Sequence, residues 1–320
     1  MRRATDLATS VGGVALPNPV CTAAGTSGHG AELGAYIDLS RLGAVVVKSL
    51  AAFPWPGNPP PRVAPVDGGM LNSVGLQGPG VERFLAEHLP ALVSSGARVV
   101  VSIWGRRVEE FAAAAAPLAD AGAAVVAVEV NVSCPNLDDR ARVFAHSPSA
   151  TADAVAAAAA CRRPLWAKLS PTTADLLEVA AAALGAGAGA LTLVNTALGY
   201  GLDPASGRPL LGAGYGGLSG PALRPVALRA VRECRDAFPT AGIVGVGGVL
   251  GAADAVAMLR AGADAVEVGT ASFLDPRASL RVLRGLERWC RRVGVARVRD
   301  LVGTAGAPGD RPSAGADGRG

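Results

Sequence analysis

The stretch VEEFAAAAAPLADAGAAVVAVEVN, residues 108–131, reads as a helix, a stop and a strand in that order. The alanine-rich run 108–122 predicts a helix, and Gly122 suits the left-handed residue that caps it, a conformation disfavoured for residues with a side chain. Behind the glycine comes a continuous apolar run that ends in Asn131. It does not alternate, as expected of a strand in a parallel sheet covered on both faces. The same unit recurs in LGAVVVK (42–48), GARVVVSI (96–103), GAGALTLVN (187–195) and GADAVEVG (262–269), the last preceded by the helical run AADAVAMLRAG (252–262). NPVCTAAG (18–25), PLWAKLS (164–170) and GIVGVGG (242–248) bring the strands to eight. Eight strands alternating with helices over about 270 residues predict an α/β fold, a TIM (β/α)8 barrel, with residues 1–303 as a single domain. A doubly wound open sheet is the alternative. The connections 49–80 and 196–220 are too long for plain turns and read as structureless functional segments. Residues 304–320 read as a disordered C-terminal tail.

Composition supports one large core. Of 320 residues 50% are hydrophobic and 18% charged, too apolar for a disordered chain. Aromatics are only 4%, so Ala, Val and Leu must fill the interior. The net charge of +4 is mild, and no basic block interleaves with aromatics, so nucleic acid is not expected as a partner. Cys21, Cys134, Cys161, Cys234 and Cys290 are odd in number and far apart, with no C-x-x-C. That argues for a reducing compartment and against a disulfide framework, a metal site or an iron–sulfur cluster in this chain. The N-terminus shows no apolar signal region, and the charge-free stretch between Glu178 and Asp203 is broken by Gly185, Gly187 and Gly189. It reads as helix, turn and strand rather than a membrane span, so a cytoplasmic protein is expected.

In a barrel the chemistry sits where the strands end. The basic side chains are almost all arginine, with lysine only at 48 and 168, and asparagine occurs six times. Lys48, Lys168, Asn131 and Asn195 all fall at predicted strand ends, which directs both lysines to one mouth. A compact ammonium is not replaced by a planar guanidinium at a tight site. Buried lysines need an anion nearby. A carboxylate such as Glu129 or Glu267, a phosphorylated cofactor or a substrate carboxylate would each serve. Gly247-Gly248 and Gly269-Thr270 end the last two strands, the common place for a barrel phosphate site, although glycine also simply makes tight turns. Cys134, just past a strand and followed by Pro135, is the candidate base or nucleophile, since a nearby lysine would favour its thiolate. Cys21 reads as a small core filler. His29, His88 and His146 complete no recognisable triad.

The strings GNPPPRVAPVDGGMLNSVGLQGPG (57–80), VEVNVSCPN (128–136), WAKLSP (166–171), LVNT (193–196), GGLSGPALRPVAL (216–228), GVGG (245–248) and VGTASF (268–273) together resemble dihydroorotate dehydrogenase, most closely the catalytic subunit of the NAD-dependent class 1 type. The resemblance spans roughly residues 5–290 and implies oxidation of (S)-dihydroorotate to orotate in pyrimidine biosynthesis, with FMN in the barrel mouth. It implies that Cys134 takes the C5 proton while C6 gives hydride to the flavin. It assigns Lys48, Asn72, Ser73, Val74, Gly75, Leu76, Asn131, Asn136, Asn195 and Thr196 to the substrate. To the cofactor it assigns Ala24, Gly25, Lys48, Ser49, Ser102, Asn131, Lys168, Val194, Gly220, Gly247, Gly248, Gly269 and Thr270, with Lys168 balancing charge on the reduced flavin. No metal is implied. Amides suit a pyrimidine because each offers both a donor and an acceptor. Electrons would reach NAD through a separate subunit carrying FAD and a [2Fe-2S] cluster, in a heterotetramer. A homodimer using a small acceptor such as fumarate is the alternative. Three departures stand out: Ala24 where a serine is usual, Ser102-Ile103-Trp104-Gly105 in place of Asn-Val-Ala-Gly, and DDRARVFAHSPS (138–149) without the usual paired glycines. They leave open an FMN-binding paralogue acting on another dihydropyrimidine. A non-redox phosphate-binding barrel is the remaining reading.

Overall fold

The computed structural model describes residues 5–133, 135–136 and 142–306. All eight expected barrel strands form, each shorter than its apolar run. In chain order the strands are β1 (Thr9–Val11), β2 (Val14–Leu16), β3 (Val20–Thr22), β4 (Val45–Val46), β5 (Val63–Val66), β6 (Gly69–Asn72), β7 (Val99–Ile103) and β8 (Val125–Asn131). They continue as β9 (Pro135–Asn136), β10 (Arg142–Val143), β11 (Leu165–Lys168), β12 (Ala190–Leu193), β13 (Ala197–Tyr200), β14 (Tyr215–Ser219), β15 (Gly242–Val246) and β16 (Ala265–Val268). The parallel sheet runs β3-β16-β15-β12-β11-β8-β7-β4. A parallel bridge between Cys21 and Ala44 sets β3 beside β4, with Thr22 N donating to Ala44 O at 3.2 Å. The sheet is therefore closed, a (β/α)8 barrel rather than an open doubly wound sheet.

The junctions follow from the glycines. Gly96, Gly122, Gly187 and Gly262 precede β7, β8, β12 and β16, at φ of 71°, 79°, 104° and 130°. The helices are α1 (Val81–Glu87), α2 (Leu89–Ser94), α3 (Val108–Ala115), α4 (Pro148–Ala158), α5 (Leu176–Gly185), α6 (Arg224–Ala237), α7 (Ala252–Ala261), α8 (Ala271–Leu274) and α9 (Ala278–Val293). The run 108–122 stays α-helical only to Ala115 and tightens into a 3-10 turn over Ala116–Asp120, where Pro117 has no N–H to give the ladder. The charge-free stretch is most of α5, a turn, β12 and then β13, one strand more than expected, and among the described residues no helix is long and apolar enough to cross a membrane.

Two features were not visible in the sequence reading. β1 and β2 form a hairpin around Gly12-Gly13 that plugs the barrel floor. Its Val11, Val14 and Leu16 pack on inward-facing Ala127, Trp166 and Val244. A Cβ on Gly12 would come within 2.7 Å of the Gly189 backbone, so only glycine lets the tip seat there. The second feature corrects an expectation. The connections 49–80 and 196–220 are not structureless: they supply the antiparallel sheet β13-β14-β6-β5, which roofs the barrel mouth. Glycine, proline and asparagine in these strands hide the alternation that usually betrays them. β9 and β10 pair as a short antiparallel ladder. Of the expected tail, residues 307–320 lie outside the described residues.

Candidate active site

Between the barrel mouth and the roof lies a cavity of about 670 Å³. Its walls include Ala24 and Gly25 after β3, Lys48 and Ser49 after β4, Asn72 on β6 and Ser73, Val74, Gly75 and Leu76 beyond it. Asn131 on β8, Lys168 on β11, Val194, Asn195 and Thr196 after β12, Gly220 after β14, Gly247 and Gly248 after β15, and Gly269 and Thr270 after β16 complete the expected set. Of the sequence-derived positions with described side chains, only Ser102 is not on the wall. It is fully buried behind Ser49, with the two hydroxyls 2.8 Å apart. Cys134 lies outside the described residues, and for Asn136 only its backbone pairing in β9 is described. None of the three histidines lines the cavity, and His146 Nε2 instead lies 3.4 Å from the Thr172 hydroxyl.

The amides form a chain. Asn131 Nδ2 donates to Ser49 Oγ at 3.2 Å, and Asn131 Oδ1 accepts from Ser133 N at 3.1 Å and from Asn195 Nδ2 at 3.2 Å. Thr196 N donates to Asn195 Oδ1 at 2.8 Å. Asn72 Nδ2 reaches Gly217 O at 3.2 Å, tying the β6 and β14 halves of the roof. These bonds fix the orientation of each amide, so the set presents a preformed donor and acceptor pattern rather than free rotors.

The two lysines have different surroundings. Lys168 is 5% exposed, and its Nζ lies 3.1 Å from Glu267 Oε2 and 3.5 Å from Glu129 Oε1. The carboxylate partner weighed at the sequence level is therefore real for Lys168, twice over. Burial alone would lower its pKa, but the charges of Glu129 and Glu267 outweigh that and hold it above the ordinary lysine value. Lys48 makes no ion pair among the described residues. Burial, followed by the Lys168 charge, lowers its pKa to about 8. A Cβ on Gly25 would lie 3.3 Å from Lys48 Nζ, so the glycine leaves the ammonium room.

The β15 and β16 ends make a backbone cradle. Gly247 and Gly248 have φ of 134° and 70°, and a Cβ on Gly248 would meet Gly220 O at 3.0 Å. Thr270 Oγ1 donates to Ser219 Oγ at 2.8 Å across the same corner. On the opposite rim Trp104, Trp55 and Phe53 stack edge to face with centroids 6.0–6.1 Å apart, and the Arg106 guanidinium lies over Phe53 at 4.5 Å. Arg106 is held by Glu110 at 2.7 Å. Trp104, Trp55 and Arg106 all line the cavity. Sequence reading noticed only the bulk of Trp104, because Trp55 and Arg106 reach the rim from connections whose course it could not follow.

Comparison with known proteins follows this geometry. A family model described as dihydroorotate dehydrogenase matches residues 6–289. A Pelobacter propionicus chain named dihydroorotate dehydrogenase B (NAD(+)), catalytic subunit, is 45% identical over 299 residues, covering 93% of this chain and 98% of that one. A Geotalea daltonii chain of the same name is 42% identical, with 93% and 97% covered. A Solibacter usitatus chain provisionally named dihydroorotate dehydrogenase A (fumarate) is 44% identical, with 93% and 98% covered.

Proposed function

The chain belongs to the dihydroorotate dehydrogenase family, and from that premise we propose that it oxidises (S)-dihydroorotate to orotate in pyrimidine biosynthesis as a class 1 NAD-linked catalytic subunit. The observation that carries the reading is the meeting of Lys48, Asn72, Asn131 and Asn195 with the glycine cradle in one cavity. The residues fit FMN. A cavity of this size suits a flat ring system with a small substrate against it. The Gly220–Gly247–Gly248 corner gives a phosphate backbone approach that side chains would block. Bound FMN supplies a hydride acceptor.

The chain's own residues do the rest. Lys48, an ammonium without an ion-pair partner among the described residues, attracts the substrate carboxylate. Asn72, Asn131, Asn195 and Thr196, with Asn136 and the segment Ser73 to Leu76, hold the alternating N–H and C=O groups of the ring. Cys134 accepts the C5 proton as thiolate, a role that a neighbouring cation favours. Lys168 places fixed positive charge at the cavity floor, where charge develops during the reaction. Ser102 acts through Ser49, keeping the hydroxyl that Asn131 needs.

The NAD-linked relatives are named catalytic subunits, which supports a partner subunit with FAD and an iron–sulfur cluster as the route to NAD. A fumarate-linked homodimer is the second reading, favoured by the Solibacter usitatus relative. An anaerobic visible spectrum, repeated after dihydroorotate, tests the proposal. A flavin spectrum that bleaches supports it, and fumarate then either restores the colour or leaves the partner-dependent route. A yellow protein that stays oxidised points to the repurposed paralogue. A colourless protein that takes up no FMN refutes the flavin reading and returns the cavity to phosphate chemistry.

A further inference from the structure

Glu129 and Glu267 take no part in the chemistry above, yet they lie fully buried beneath the cavity with one lysine between them. Below the cluster the barrel is apolar, with Cys21, Trp166 and Val244. Glu129 Oε2 and Glu267 Oε1 have no hydrogen-bond partner among the described residues. Two carboxylates cannot both be neutralised by one ammonium, and a second unpaired negative charge in such surroundings is expensive. The cluster therefore has two accessible states: neutral, with one proton on a carboxyl group, or singly negative.

Lys168 lies between the two carboxyl groups, 3.1 Å from Glu267 and 3.5 Å from Glu129, so the pair shares that proton. Burial pushes Glu267 up, Lys168 pulls it back, and the Glu129 charge pushes it up again, leaving it near 8. From β3, Cys21 stands opposite Glu267, and its own thiol is driven far up by burial, so it stays neutral. Glu129 acts on Glu267 from β8 and Lys168 from β11, while Lys48 stands at the end of β4 and interacts with the Lys168 charge. β15 contributes only Val244 and Val246.

Resting on the flavin reading, we propose that the Glu129–Lys168–Glu267 cluster compensates charge in the cavity by exchanging a proton. At alkaline pH, where both carboxylates are ionised, negative charge appearing above Lys168 draws one proton from solvent onto Glu267, which returns it when the charge leaves; nearer neutral pH that proton is already in place. Glu267 is thus a positioning and charge-buffering residue that acts through Lys168.

The test uses the FMN-loaded full-length chain, reduced anaerobically with dithionite, counting protons taken up per two electrons from pH 6 to 10 in wild type and Glu267→Gln. Glutamine keeps an oxygen for Lys168 but cannot titrate. Above about pH 8 the wild type takes up close to one more proton than the variant, and below pH 7 the two agree. Identical uptake at every pH overturns the proposal while leaving the flavin reading intact. Glu129→Gln gives an independent check: with a single carboxylate left for Lys168, Glu267 ionises at lower pH and the extra uptake near pH 8 disappears. A cofactor-free measurement separates the two ideas. The infrared carbonyl band of a protonated carboxyl group, present at pH 7 in the protein before FMN is added, fades through about pH 8 and is missing in Glu267→Gln. Its absence from the wild type at pH 7 overturns the two-state cluster whether or not FMN binds. Failure to bind FMN overturns the flavin reading and the compensating role together.

Discussion

Gly248→Ala probes the phosphate corner with a magnitude that the geometry supplies. The residue sits at φ 70°, and the new Cβ would lie 2.6 Å from Arg224 Cβ and 3.0 Å from Gly220 O. Arg224 Cβ is the first side-chain atom out from α6, and the arginine is anchored through its ion pair with Asp254, so it cannot swing aside. Two penalties add: about 1–2 kcal/mol for a left-handed non-glycine residue and about 1–3 kcal/mol for overpacking. A stiffer unfolded chain offsets about 0.4–1 kcal/mol of this. Gly122→Ala is the control, because it shares the left-handed conformation (φ 79°) but has nothing within 4 Å of the added Cβ. The difference between the variants isolates the packing part, about 5- to 150-fold in an equilibrium constant. Urea unfolding of the cofactor-free protein and fluorescence titration with FMN are measured on both. If the corner holds its shape, the loss appears in stability; if the turn yields, it appears in FMN affinity. Gly248→Ala matching Gly122→Ala in both measurements would refute the backbone cradle.

Other outcomes follow from the same site. Lys48 is protonated below its lowered pKa and neutral above it, so orotate affinity, read from flavin absorbance, should fall by about tenfold per pH unit above pH 8; a flat profile would remove Lys48 from the carboxylate. Lys48→Arg should weaken orotate binding despite the kept charge, because the space beside Gly25 suits an ammonium. Cys134→Ser should slow reduction of the flavin by dihydroorotate by about 10²–10⁴ in stopped-flow, since a hydroxyl is a far weaker acid; wild-type rates would sink the assignment. Trp104→Ala should destabilise by about 3–5 kcal/mol, seen as a lower melting temperature, because a fully packed indole leaves a cavity.

The barrel was legible because every strand shows an apolar run and four of them, β7, β8, β12 and β16, are also announced by the glycine before them. Strand ends then located Lys48, Asn131, Lys168 and Asn195 without any contact information. The roof was not legible: GMLN and YGGLS carry too little alternation, and their partners lie far away in the chain. The floor hairpin escaped for a similar reason, with three-residue strands too short to show a period. The partners of Lys168 were named only as options, because choosing between a carboxylate and a ligand needs the closed barrel, which brings Glu129 and Glu267 to the Lys168 ammonium from different strands. Ser102, expected at the cofactor, lies behind Ser49 rather than on the cavity wall, a difference of one side chain that a strand-end reading does not resolve.

The roof has a consequence for the order in which the molecule is made. β6 pairs with β14 across about 145 residues of chain, as Asn72 opposite Gly217 shows. Pairings this remote form late, after nearer contacts have shortened the loop between them. A chain emerging from the ribosome can build its first βα units, and pair β5 with β6, well before residue 219 exists, but until then Asn72 has only Val63 beside it. The binding chamber is thus finished late, together with the closure of the barrel by β16 on β3, and a ligand can act as a seal on the finished vessel but not as a mould for its walls.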